Sequence, residues 1–313
     1  YTLSLHDALP IWPLLRMVLM GLTTVAPPII INGGSNPDGD GVAATWGIER
    51  PRPAGARPRY NSTTRDACVM DDEHTPVTVA GKRAVVIGGT SGIGRAIARG
   101  FAADGADVVT SSRSADDVAE TAAGLRSLGA ETIEQSCDVT DRGSLVDLRD
   151  ATIDALGRID VPVTSQSYIA QSNLTTGAEA ERQAVFDVQL DGTYRAVQIF
   201  AERMDQGSII PISSISNGLS VPNLVPYTTA ELGPEIRVNA IRPGFVRTDQ
   251  TGGTYDEGTD RHAEVVRRTT TGRLADPEEM VGAAIYLASD AASYTNGSVL
   301  TVDDGFTTGA FGD

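Results

Sequence analysis

The 313-residue chain contains a single lysine, Lys82, against 24 arginines. It has two cysteines, Cys68 and Cys137, and three histidines, His6, His74 and His262, all far apart. Two isolated cysteines exclude a disulfide scaffold and a CxxC metal or redox motif. Histidines so separated offer no metal-ligand spacing, so no metal site is expected. With 41 acids against 25 bases, a net charge of −16, the chain lacks the means to neutralise a phosphate backbone, and no nucleic-acid partner is expected. Long apolar runs are also missing. The stretch from Ala8 to Ile31 is broken by four prolines and Arg16, so no membrane span is expected.

The charge is distributed unevenly. Residues 1–69 hold five acids and six arginines, which leaves 36 acids and 19 bases, a net of −17, in residues 70–313. The first stretch also holds eight of the sixteen prolines. Such a step marks a boundary. Residues 1–69 are expected to be a disordered or artefactual extension, with Met70 as the candidate start of the folded part. No positive segment precedes the first apolar run, so a signal peptide is not expected. The acidic, lysine-poor remainder reads as a salt-adapted cytoplasmic surface.

From Val77 the pattern becomes regular. Arg83–Ile87 is a short apolar run ending in Gly88-Gly-Thr90-Ser91-Gly92-Ile93-Gly94, and Ile93, Ile97 and Phe101 then recur at helical spacing. Strand, glycine turn, helix is the context of a phosphate-binding turn, because glycine lets backbone approach a pyrophosphate and the helix start offers unpaired N–H groups. Further strands are expected at Asp107–Ser112, Ile133–Cys137, Ile159–Val163, Gly207–Ile212 and Arg237–Ile241. The expected fold is α/β, a single Rossmann-type doubly wound parallel sheet over 70–313.

The spacing Gly88-x3-Gly92-x-Gly94 resembles the turn of the short-chain dehydrogenase/reductase family, with Ile87 where threonine is usual. Asp138-Val139, the pair Ser214 and Tyr227, Pro243-Gly244 and Leu300–Asp303 follow in the family's order, so the resemblance covers about Val77 to Phe311. It extends to 3-oxoacyl-ACP reductase and glucose or gluconate dehydrogenase members. The resemblance implies an oxidoreductase acting on a carbonyl or secondary alcohol, with a small-molecule substrate. It implies Ser214 orienting the substrate oxygen, Tyr227 exchanging a proton with it, and Gln189 in place of the relay asparagine. Ser213 is the rival of Ser214, but only Ser214 has the thirteen-residue spacing. Gly88, Thr90, Ser91, Gly92, Ile93 and Gly94 would hold the pyrophosphate. Asp138 and Val139 would hold the adenine, and Val246 and Thr248 the nicotinamide loop.

Strand two ends in Ser112-Arg113 instead of a carboxylate, which favours NADP(H) over NAD(H). The plainer reading of Arg113 is a solvated side chain beside a helix cap at Ser114. For Asp138 it is a cap on the helix beginning near Asp141.

Four departures stand out. The family's lysine, four residues after the tyrosine, is Glu231, whose charge would raise a phenol's pKa instead of lowering it. The crossover after Tyr227 is too short for a full helix, as though a deletion lay between Ala230 and Glu231. That helix builds the family's usual dimer or tetramer interface, which the shortening puts in question. The alternative reading is therefore a catalytically impaired nucleotide-binding protein. Lastly, the family's Asn-Asn-Ala-Gly is Thr164-Ser-Gln-Ser167, and its Asp-Gly-Gly is Asp303-Asp304-Gly305. The segment from Asp249 to Arg273 is expected to be a mobile substrate lid, with His262 facing solvent.

Overall fold

A computed structural model of the protein describes residues 75–169, 177–215, 232 and 234–308. Tyr227, Glu231, the Ala230–Glu231 junction and the first 74 residues lie outside the described residues.

Five strands pair in parallel in the order β2-β1-β3-β4-β5. They are β1 Arg83–Ile87, β2 Asp107–Ser111, β3 Val161–Thr164, β4 Gly207–Pro211 and β5 Ile236–Val238. A second parallel pair, β6 Ala240–Pro243 with β7 Val299–Val302, adjoins β4 through a bridge between Ile212 and Ile241. The helices are α1 Gly92–Ala103, α2 Ala115–Ser127, α3 Arg142–Leu156, α4 Glu179–Phe186, α5 Gly192–Ala201, α6 Asp260–Arg268 and α7 Val281–Ala288.

The two-residue period of a strand sorts the core into two layers. Ala84 and Val86 of β1 face one layer, with Ile97 and Phe101 of α1 and Leu287 of α7. Val85 and Ile87 face the other, with Leu145 and Leu148 of α3 and Ile199 and Phe200 of α5. A sheet covered on both faces needs such continuous apolar strands. This is the doubly wound sheet expected from the sequence.

Two strand expectations are corrected. Residues 131–138 run extended beside β2 but form no ladder. Val108 N–H donates to Glu131 O at 3.1 Å and Cys137 N–H to Ser112 O at 2.9 Å. Both bonds fit one parallel register, but no backbone bond joins the stretch to β2 between them, so no ladder forms. The expected strand Arg237–Ile241 is split at Asn239, which is fully buried. Its Nδ2 donates to Thr295 O at 2.8 Å and its Oδ1 accepts from Ser298 N–H at 3.0 Å. These bonds tie the break to residues 295–298, where the chain exchanges β4 for β7 as its partner, while Asn239 N–H still donates to Ile209 O at 3.1 Å.

The chain passes from β1 outward to β2 and returns to β3 on the other side of β1. The gap beyond the ends of β1 and β3 is therefore a topological switch point, where open α/β sheets bind ligands.

Candidate active site and nucleotide cradle

A cavity of about 930 Å³ opens at that switch point. Its wall includes Gly88, Thr90, Ser91, Gly92 and Ile93 from the turn after β1, and Ser112 and Arg113 from the end of β2. Asp138, Val139, Gln189, Ser214, Val246 and Thr248 complete the sequence-derived set on the same wall. Gly94 stands behind this wall. Of the expected site residues, Tyr227 alone lies outside the described residues.

The turn is closely packed. A Cβ on Gly94 would stand 2.2 Å from the Gly88 carbonyl oxygen, and one on Gly88 would stand 2.6 Å from Gln166 N. Any side chain at either position would displace backbone. α1 then begins at the cavity with no side-chain cap from Ser91 and no acid in its first turn. Its leading N–H groups and positive dipole end are left for an anion. A backbone cradle that excludes Cβ atoms, continued into a bare helix start, fits the pyrophosphate of a dinucleotide.

At one end of the cavity Arg113 is exposed, and Ser114 caps α2 through its side chain, accepting from Asp117 N–H at 3.3 Å. Cap and cavity position coexist. The Asp138 carboxylate accepts from Thr140 N–H at 2.9 Å and from its hydroxyl at 2.8 Å. The Thr140 amide first, and Arg113 more weakly, hold its pKa below the usual carboxylate range. Asp141 caps α3, accepting from Gly143 N–H at 2.8 Å, so the capping role weighed for Asp138 belongs to Asp141. Beside them the Cys137 thiol is pushed up to about 11 by burial and stays protonated at neutral pH.

At the other end, Gln189 sits in a π-helical turn, Asp187–Asp191, between α4 and α5. Such turns widen a helix and occur often at functional sites. Gln189 Nε2 donates to Tyr168 O at 2.8 Å and to Ser167 Oγ at 3.4 Å. Side chains hold the carbonyls of this turn. Thr193 Oγ1 donates to Gln189 O at 2.7 Å, and Gln166 Nε2 donates to Thr193 Oγ1 at 2.9 Å and Val188 O at 3.4 Å. The residues that depart from the family's pattern at 166, 167 and 189 thus form one hydrogen-bonded unit. Sequence reasoning noted the three positions but missed Thr193, because nothing in a sequence links it to a partner 27 residues earlier.

Beyond β6, Thr248 N–H donates to Thr251 Oγ1 at 2.9 Å, and that hydroxyl donates to Val246 O at 2.9 Å. Phe245 packs against Tyr255, their ring centroids 5.0 Å apart, and both line the cavity. The expected lid carries α6, capped by the Thr259 hydroxyl, which accepts from His262 N–H at 3.1 Å. His262 is half-buried beside Tyr255 and Leu274, not fully solvent-facing. The end of the lid is clamped. Thr271 donates through N–H and hydroxyl to Asp304, at 2.7 and 2.8 Å, and Arg273 donates twice to Glu279, at 2.6 and 2.8 Å.

A doubly wound sheet with this cradle at its switch point defines a dinucleotide-binding protein of the Rossmann class. The family model described as "Enoyl-(Acyl carrier protein) reductase" matches residues 88–307. The 3beta-hydroxysteroid dehydrogenase 1 of Eggerthella lenta is 32% identical over 246 residues, covering 72% of this chain and 94% of that protein. The gluconate 5-dehydrogenase of Gluconobacter oxydans is 28% identical over 249 residues, covering 74% and 96% respectively. A solved structure of a putative NAD(P)-dependent gluconate 5-dehydrogenase from Beutenbergia cavernae, with bound NADP, is 34% identical. It superposes with a TM-score of 0.69 over 74% of this chain and 99% of that one. The chain belongs to the short-chain dehydrogenase/reductase family and is by family an oxidoreductase. Among the described residues, no helix is long and apolar enough to cross a membrane.

Proposed function

We propose that the protein is an NADP(H)-dependent oxidoreductase that interconverts a carbonyl group and a secondary alcohol. The observation that carries the nucleotide preference is Arg113, on the cavity wall at the end of β2 and close enough to Asp138 to lower its pKa. A guanidinium there matches a 2′-phosphate, whereas the ribose 2′-hydroxyl of NAD is held by a carboxylate at this place in the fold.

NADPH when bound supplies the hydride that reduces the carbonyl carbon. The chain's own residues do the rest. The cradle at Gly88–Gly94 and the start of α1 hold the pyrophosphate, and Asp138 and Val139 hold the adenine. Val246 and Thr248 hold the carboxamide end. The Ser214 hydroxyl orients the substrate oxygen, and the Tyr227 phenol delivers the proton that oxygen takes up. Gln189 holds a water that reconnects the phenol to solvent.

Replacing Arg113 with alanine should weaken NADPH binding roughly tenfold or more, the loss of one strong charge-assisted contact, while NADH binding changes little. Equal losses for both nucleotides would overturn the assignment.

Glu231 supports a second reading, nucleotide binding without turnover, since the position expected to hold a cation beside the phenol holds an acid. Measuring NADPH binding and NADPH-dependent carbonyl reduction on the same preparation separates the two. Binding with turnover supports the first and binding alone the second. Recovery of activity on restoring a full Tyr-x3-Lys helix would locate the defect.

A further inference from the structure

We propose that Asp304 is a positioning residue. It latches the end of the lid to the turn after β7, and through that turn it holds the aromatic wall of the cavity in place. What the latched lid does to a bound nucleotide rests on the proposed oxidoreductase reading; the latch itself does not.

Asp304 has φ +52°, and among the described residues it is the one non-glycine residue in the left-handed region. It stands where the family's pattern has glycine. Residues with a Cβ avoid that region because the Cβ crowds the following carbonyl, and an aspartate enters it by bonding to nearby backbone. Here the carboxylate bonds elsewhere. Its Oδ2 accepts the N–H and the hydroxyl of Thr271, 33 residues earlier in the chain, at 2.7 and 2.8 Å. The Asp304 carbonyl accepts the N–H and the hydroxyl of Thr270, both at 3.1 Å. One residue thus takes four bonds from two adjoining lid residues. Strained backbone persists where the surroundings over-determine it, and these bonds supply that constraint.

The same turn reaches the cavity. Asp303 accepts from Thr307 N–H at 2.8 Å and from Phe306 N–H, through its carbonyl, at 3.0 Å, which fixes the turn Phe306–Thr308. The Phe306 ring meets Phe245 edge-on with centroids 4.8 Å apart, and Phe245 in turn packs on Tyr255 at 5.0 Å. Phe245 and Tyr255 line the cavity. Arg268, the last residue of α6, places its guanidinium carbon 4.0 Å from the Phe306 centroid and donates to Phe306 O at 3.4 Å. Edge-on ring pairs and a cation over a ring are both favourable contacts. The lid helix, the turn after β7 and the cavity wall therefore form one packed unit. Releasing Asp304 frees Thr270 and Thr271 and loosens Arg268 from Phe306.

The test compares Asp304→Gly with Asp304→Asn in the full chain. Glycine enters the left-handed region freely but brings no acceptor, whereas asparagine tolerates the region and keeps an acceptor for Thr271. Amide hydrogen exchange without nucleotide should quicken about tenfold over residues 249–271 in Asp304→Gly, the change expected when the lid loses a charge-assisted bond. Exchange in β1–β4 should not change, and Asp304→Asn should stay within about threefold of the unmodified chain throughout. NADPH, followed by its fluorescence, should dissociate several-fold faster from Asp304→Gly. Lid exchange at the unmodified rate overturns the proposal, as does faster exchange spread equally over β1–β4. So does Asp304→Asn loosened as much as Asp304→Gly, or unaltered NADPH dissociation from a loosened lid. NADPH that fails to bind the unmodified chain counts against the proposed function instead, and the exchange comparison then decides the latch.

Discussion

Lys82 Nζ lies 2.8 Å from Asp290 Oδ1, immediately before β1 and at the opposite end of that strand from the glycine turn. Six residue steps along the five-residue strand separate Lys82 from Gly88, roughly 20 Å. The only lysine of the chain is therefore engaged with Asp290, whose pKa it lowers, and stands remote from the cavity. Lys82→Ala should leave NADPH affinity within twofold. It should cost under about 1 kcal/mol of stability, since Asp290 is 79% exposed and a surface ion pair contributes little. A tenfold loss of nucleotide binding would show that this lysine reaches the site.

Gly94→Ala should abolish measurable NADPH binding. The added methyl would stand 2.2 Å from the Gly88 carbonyl oxygen, and backbone there cannot yield without reshaping the cradle. Overpacking of this kind destabilises by about 1–3 kcal/mol. Fluorescence titration of NADPH together with a thermal melt separates the two effects. Near-native affinity in a folded variant would refute the cradle.

Thr193→Val should cost about 1–3 kcal/mol in thermal unfolding. It removes the hydroxyl that donates to Gln189 O and accepts from Gln166 Nε2 in a nearly fully buried position. Thr193→Ser should restore most of it. If the π-helical turn depends on this hydroxyl, Thr193→Val and Gln166→Leu will be non-additive in a double-mutant cycle. Additive losses would indicate independent packing effects.

Glu279 accepts both guanidinium bonds of Arg273 and the N–H of Asp276, and the Arg273 bonds first hold its pKa down at about 2, from 4.5. A depressed folded-state pKa means stabilisation present above about pH 4.5 and lost as pH falls toward 2. Glu279→Gln should therefore lower the melting temperature slightly at pH 6 and not at all near pH 2. The effect is small because both side chains are exposed. A difference that persists unchanged at pH 2 would mean that packing, not charge, anchors the end of the lid.

Most of the central sheet was legible from local pattern. Arg83–Ile87 and Asp107–Ser111 are short, apolar and bounded by turn residues, so strand identity follows from their own composition. The sheet margins were not legible. Residues 133–137 look like a strand, yet backbone bonds to β2 form only at the two ends of the stretch and leave it unladdered. Residues 237–241 look continuous, yet Asn239 divides them. Both outcomes depend on which neighbour supplies the hydrogen bonds, a quantity no local window contains.

The site divides along the same line. Glycines at 88, 92 and 94, a base at 113 and a serine at 214 could be read directly, because each role is carried by a residue type at a fixed offset from a strand end. The absence of lysine from the catalytic region was equally plain in composition. Tertiary contact decided the rest: that Asp141 caps α3 while Asp138 faces the cavity, and that Gln166, Ser167, Thr193 and Gln189 form one unit around a π-helical turn. It also brought Phe245 and Tyr255 together as an apolar wall. Side-chain hydrogen bonds and ring packing join residues from separate elements, so their partners exist only once the sheet has brought those elements together.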